Sequence, residues 1–219
     1  MVSPVSLLLF LAYFKPGSAT TANLIVQLAR FVGLRLITVV DKAKHGLRLS
    51  DHSVLRPDLL VDSHDPDRAV DIIRANTKGQ LRFGIDTRGR ESASSLLRAL
   101  APSKPLNGSL AQTNGTYSTP PESPKDSAVL SSHLVGLTGL PKQMPPPGTV
   151  FHTVPIKLFH EIPTIGETLV TWLERLLHNG LISPPEVIDI EHGFDGVNNG
   201  LDRMRRGEIS GGKLVVRLT

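Results

Sequence analysis

Gly17, Ser18, Ala19, Thr20, Thr21 and Ala22 form a run of small and hydroxylated residues between an apolar stretch, 7–13, and a helical pattern that starts near Leu24. Such a run lets backbone N–H groups close on a phosphate. The helix behind it offers unpaired donors and the positive end of its dipole. Ser18, Thr20 and Thr21 add hydroxyl donors, although simple helix capping would use them equally well. A second apolar stretch, Leu36 to Val40, ends on Asp41, an acid placed to hold a ribose diol. Lys42, Lys44, His45 and Arg48 follow at once, and these cations suit a 2′-phosphate instead. Both uses draw on the same turn of chain, and the residues alone leave NAD and NADP open. Gly136-Leu137-Thr138-Gly139 closes a later apolar stretch and fits the crevice beyond a strand end where a nicotinamide would lie.

The glycine pattern is incomplete. Against G-x-G-x-x-G the chain reads Gly17-x-Ala19-x-x-Ala22. Gly17 supplies the turn and Ala22 still allows close helix–strand packing, but Ala19 sets a methyl group where a phosphate approaches. An ordinary crossover turn is the plain alternative.

These residues need a frame. Strands are expected at 7–13, 36–40, 57–62, 81–86, 133–139, 150–159, 187–190 and 213–218. Helices are expected at 24–31, 67–77, 91–100, 166–178 and 196–206, the last capped by Asp195 and ended by Gly207. Lys42 to Gly46 reads as a polar connection. The alternation of strands and helices predicts an α/β chain, a doubly wound parallel sheet of the Rossmann type. Residues 102–127, rich in Pro, Ser, Thr, Gly and Asn, read as a long mobile surface loop. Two units follow: 1–180, a nucleotide-binding domain, and 181–219, a C-terminal segment.

Composition narrows the chemistry. The chain has 219 residues, a net charge of +4 spread along its length, and no cysteine. Thiol nucleophiles, disulfides and Cys-ligated zinc are therefore excluded. The eight histidines are scattered without metal-ligand spacing, so no metal is expected. There is no dense basic cluster for nucleic acid and no apolar run long enough for a membrane span. A cytoplasmic location is the expectation. Gly-x-Ser-x-Gly is missing, and neither Tyr13 nor Tyr117 has a lysine four residues on. No side chain stands out as a general acid or base. Hydride transfer requires none, because the cofactor carries that chemistry.

The C-terminal stretch, His192-Gly193-Phe194-Asp195-Gly196 followed by Leu201 to Leu218, resembles the ending of medium-chain dehydrogenases/reductases. Gly17 to Arg30 resembles their cofactor loop and first helix. Thr77 to Asp86 is similar to the matching strand of fungal trans-acting enoyl reductases and related quinone-reductase-like members. The resemblance implies a zinc-independent, NADP-dependent oxidoreductase, with NAD as the alternative. Hydride would pass to an activated double bond in a small-molecule or acyl-thioester substrate, an enoyl thioester or a quinone. It also implies a GroES-like catalytic domain, which this sequence lacks, and on which 181–219 would pack. A truncated enzyme is thus expected, or else a non-catalytic nucleotide-binding or interaction module. A homo-oligomer or a partner protein would supply the missing surface, with Phe194, Val215 and Leu218 left short of contacts.

Overall fold

The computed structural model describes residues 8–12, 19–100 and 131–218. The expected surface loop at 102–127, Gly17 and Ser18 lie outside the described residues. The first half runs β1 (Leu8–Ala12), α1 (Ala19–Phe31), β2 (Arg35–Val40), α2 (Lys42–Asp51), β3 (Leu59–Asp62), α3 (Pro66–Thr77), β4 (Phe83–Asp86) and α4 (Arg90–Leu100). The second half runs β5 (Ser132–Gly136), β6 (Thr149–Thr153), α5 (Ile156–Glu161), α6 (Pro163–His178), β7 (Val187–His192), α7 (Gly193–Arg205) and β8 (Lys213–Arg217). Six strands form one parallel sheet in the order β3-β2-β1-β4-β5-β6, and β7 and β8 form a second, two-stranded parallel sheet. This is the α/β, doubly wound Rossmann-type architecture that the alternation implies.

The apolar content of each strand matches its place. Leu36 to Val40 of β2 are all buried, as a strand covered on both faces requires. Two cores flank the sheet. On one face Ile37, Val39, Val61 and Leu134 pack against Ile73 of α3 and Leu96, Leu97 and Leu100 of α4. On the other, Leu36 and Val40 pack against Ala22, Val26 and Ala29 of α1 and Leu49 of α2. Helix α3 begins where Asp65 accepts the Arg68 N–H (3.0 Å) with Pro66 in the first turn, and stops at Lys78, whose φ is +52°.

Four expectations change. Lys42 to Gly46 is the start of α2 and no loose connection, because Asp41 caps it by accepting the Lys44 N–H at 3.0 Å. The expected strand 150–159 ends at Thr153. Pro155 follows, and α5 starts at the next residue, so the alternation of 150–153 does not continue. Asp195 lies inside the first turn of α7, which starts at Gly193, and the residue before that helix is the extended His192. Helix α6 also starts earlier than expected, at Pro163. Gly166 faces the α5 terminus so closely that a Cβ would sit 2.5 Å from the Phe159 carbonyl oxygen.

The C-terminal unit β7–α7–β8 meets the main body through a few polar bonds. Gln27 of α1 accepts the Ser183 N–H (2.6 Å) and donates to the Ser183 carbonyl (3.1 Å), and Arg48 pairs with Glu186 at 3.1 Å. Within the unit, Arg203 reaches Asp189 and Glu191, each at 2.7 Å. Phe194, Val215 and Leu218 are exposed. No described helix is long and apolar enough to cross a membrane.

Gly84 of β4 offers a packing test. A Cβ there would lie 2.9 Å from Leu96 Cδ1 of α4. Gly84→Ala should cost about 1–3 kcal/mol by overpacking, and Leu96→Ala about 2–5 kcal/mol by cavity formation. The double variant should lose less than the sum, by about 1 kcal/mol or more, in denaturant titration. Strict additivity would contradict this contact.

Candidate functional site

The strand order reverses between β1 and β4, and that reversal opens a crevice at the carboxyl ends of the strands. From β1 the chain runs outward through β2 to β3 on one side. From β4 it runs through β5 to β6 on the other. Residues from the strand ends and the N-termini of α1 and α2 meet along this edge.

The 13-residue α1 starts just beyond β1 with Ala19, Thr20 and Thr21 as its first turn, which holds no acidic residue. Its unpaired N–H groups and dipole thus form an anion-favouring end at the reversal point. Thr21 is exposed there.

At the end of β2, Asp41 serves as the cap of α2. Its Oδ1 accepts the Lys44 N–H, and its Oδ2 lies 3.8 Å from His64 Nε2. Asp62, paired in register with Val40, ends β3 beside it. One oxygen of Asp62 accepts the Lys42 N–H (3.2 Å) and the Ser63 N–H (2.9 Å), and it lies 3.0 Å from His64 Nδ1. The His64 hydrogen bond, helped by the Lys42 N–H, holds the Asp62 carboxyl below the usual carboxylate range. In return Asp62 first, and Asp41 more weakly, raise the His64 imidazole. Lys44 is exposed on the first turn of α2. His45 is half-buried and turned elsewhere: its Nε2 lies 3.4 Å from Ser210 Oγ, in the C-terminal unit. The structure therefore brings Asp41 and Lys44 together and takes His45 to a different neighbour.

At the end of β4, Asp86 is fully buried beside Ala12 of β1. Its Oδ2 accepts the Gly89 N–H (2.7 Å) and the Arg88 N–H (3.2 Å), which shapes the turn into α4. Among the described residues its Oδ1 has no hydrogen-bond partner. Burial pushes this carboxyl up, against the pull of the Ser92, Gly89 and Arg88 bonds. The Leu137 N–H donates to the Asp86 carbonyl at 2.9 Å and so ties the β5 end to the β4 end. Gly136 must be glycine because a Cβ would lie 2.6 Å from the Gly139 carbonyl oxygen. The turn Leu137–Thr138 thus folds tightly over the end of β5, with Thr138 exposed. Asp62, His64 and Asp86 were not singled out in the sequence. The only signal was that β3 and β4 each end on an acid. Among the described residues no group of three or more His, Asp or Glu could hold a metal ion.

No protein-family model matches the chain. In sequence it is 28% identical over 215 residues to the trans-enoyl reductase mycC of Thermothelomyces thermophilus, covering 91% of this chain and 50% of the relative. In fold it superposes on the CurK enoyl reductase with a TM-score of 0.67 at 13% identity, over 97% of this chain and 55% of the other. A protein described as an NADPH:quinone reductase from Bacillus thuringiensis gives 0.62 at 17% identity, over 95% and 55%. The sequence is thus similar to trans-enoyl reductases, and the fold is that of solved enoyl and quinone reductases. The chain spans about half the length of the relatives it matches.

The two site histidines give opposite pH dependences. Burial lowers His45, with Lys44 and Arg48 adding to it against Asp41, so its stabilising contribution is present above the ordinary value of 6.5 and is lost as pH falls through its lower folded value. His64 is raised, so its contribution is present below 6.5 and is lost as pH rises through its folded value. Melting temperatures measured across neutral to mildly acidic pH should fall less on acidification in His45→Gln than in wild type. They should fall more in His64→Gln. Identical slopes would contradict these placements.

Proposed function

We propose that this chain is the cofactor-binding part of an NADP-dependent reductase of the medium-chain type, which passes hydride to an activated double bond in an enoyl thioester or a quinone. The observation that carries the reading is the N-terminus of α1 at the β1/β4 reversal, with Asp41 and Lys44 at the neighbouring strand end. On this reading the first turn of α1, with Gly17, Ser18, Ala19, Thr20 and Thr21, receives the pyrophosphate. Lys44 meets the 2′-phosphate. Gly136, Leu137 and Thr138 line the nicotinamide end. Asp41 fits a supporting role, since its oxygens are engaged by the α2 N-terminus and approached by His64. His45 contributes by holding α2 against the C-terminal unit. The nicotinamide supplies the hydride when bound, and the protein orients it and excludes water. No zinc enters this scheme.

The domain division at 180/181 belongs to the same proposal, with 181–219 as the segment that packs on a substrate-positioning domain. Little turnover is expected from these residues alone, because nothing described here holds a substrate over the hydride. A cytoplasmic location accords with this chemistry. The exposed apolar residues of the C-terminal unit favour a second reading, a nucleotide-binding or interaction module without catalysis.

Lys44→Glu tests the placement of the 2′-phosphate. It sets a negative charge where only NADPH carries an additional phosphate. Fluorescence titration should show NADPH affinity falling at least about tenfold while NADH affinity changes less than about twofold, since a charge-assisted contact is worth about 1.5–3 kcal/mol. Equal losses would remove Lys44 from the phosphate site.

A further inference from the structure

Both ring nitrogens of His64 face carboxylates. Nδ1 lies 3.0 Å from Asp62 Oδ1, and Nε2 lies 3.8 Å from Asp41 Oδ2. A neutral imidazole carries one N–H and can serve only one of two such acceptors, whereas the imidazolium carries both protons. The cluster joins the ends of β2 and β3, where Val40 and Asp62 pair in register. It stands beside the first turn of α2, on which Lys44 is exposed. The other charged groups of these elements are Lys42, Asp65, Asp67 and Arg68. Lys42 lays its stem against Gly46, one turn further along α2. Asp65 caps α3 by accepting the Arg68 N–H (3.0 Å), and Asp67 pairs with Arg98 (2.7 Å). Arg68 is exposed on the first turn of α3.

We infer, resting on the reading of Lys44 as the partner of the 2′-phosphate, that protonation of His64 sets the choice between NADPH and NADH in this chain. When His64 is protonated, its charge offsets one of the two carboxylates, and a phosphate dianion can approach Lys44. When His64 is neutral, Asp41 and Asp62 together oppose that dianion with a single lysine against them. The same carboxylates still accept hydrogen bonds from the ribose hydroxyls of NADH, which carries no phosphate there. The Asp62 hydrogen bond, with the weaker attraction of Asp41, raises the imidazole, so the change falls above pH 6.5. The 2′-phosphate, with a second pKa of about 6, is already mostly a dianion in that range. His45, lowered by burial, is mostly neutral there and does not compete.

Fluorescence titration of the full chain with NADPH and with NADH, from about pH 6.5 to about pH 8.5 at low salt, tests this. The NADPH dissociation constant should rise about threefold to fivefold across the range, the size expected for one exposed charge. The NADH constant should change less than about 1.5-fold, because it lacks the group that the charge serves. His64 is exposed, so His64→Gln and His64→Lys should both fold as wild type by circular dichroism. His64→Gln should remove the pH dependence of the NADPH to NADH ratio. His64→Lys carries a charge throughout the range and should keep the low-pH preference to its upper end. A wild type that prefers NADPH with a ratio independent of pH, or a ratio whose pH dependence survives His64→Gln, would overturn the role of His64 and leave that of Lys44 standing. A chain that binds neither nucleotide at any pH would overturn both.

Discussion

β1 bonds to β2 along one edge and to β4 along the other, and the placement of every helix in the main sheet follows from that position. Right-handed crossovers starting from β1 put α1 and α2 on one face. The return from β3 to β4 puts α3 and α4 on the opposite face. The chain thus leaves the centre twice in opposite directions, and among the described residues no crossover covers the carboxyl ends where it parts. Several polar groups meet at this edge: Asp41, Asp62, His64, Asp86 and the N-terminus of α1.

Asp86 shows what keeps that edge in shape. A buried carboxylate is costly, and its burial here is offset by two backbone N–H bonds that fix the turn into α4. Its own carbonyl then receives the Leu137 N–H, so the β5 turn is set by the β4 turn. Gly136 allows the chain to fold back without a clash. One buried acid and one missing side chain thereby position two loops that no regular ladder would hold. Two more acids, Asp41 and Asp62, do the same at the next strand ends by accepting N–H groups from α2 and from the residue after β3.

Much of this frame was legible in the residues. The run Leu36–Val40 marked the second strand, and Asp41 at its end marked a candidate site. The apolar spacing of 67–77 marked α3, which starts one residue earlier, at Pro66. The misreadings came where local chemistry competes with periodicity. Lys42 to Gly46 is too polar to look helical, and only the Asp41 cap and packing of Gly46 and Leu49 make it so. Val150 to Phe159 alternates like a strand, but Pro155 redirects it. Asp62 and His64 could not be paired with Asp41 without the β2–β3 register, and His45 could not be assigned to Ser210, which lies 165 residues away.

Under the proposed function, the reversal between β1 and β4 binds a nucleotide in this chain. Amide hydrogen exchange with and without saturating NADPH measures this directly. Protection is predicted in the first turn of α1, in the Thr87–Gly89 turn and across Leu137–Gly139, with α3 and the β7–β8 pair unchanged. No protection at these strand ends, or protection confined to the C-terminal unit, would contradict it.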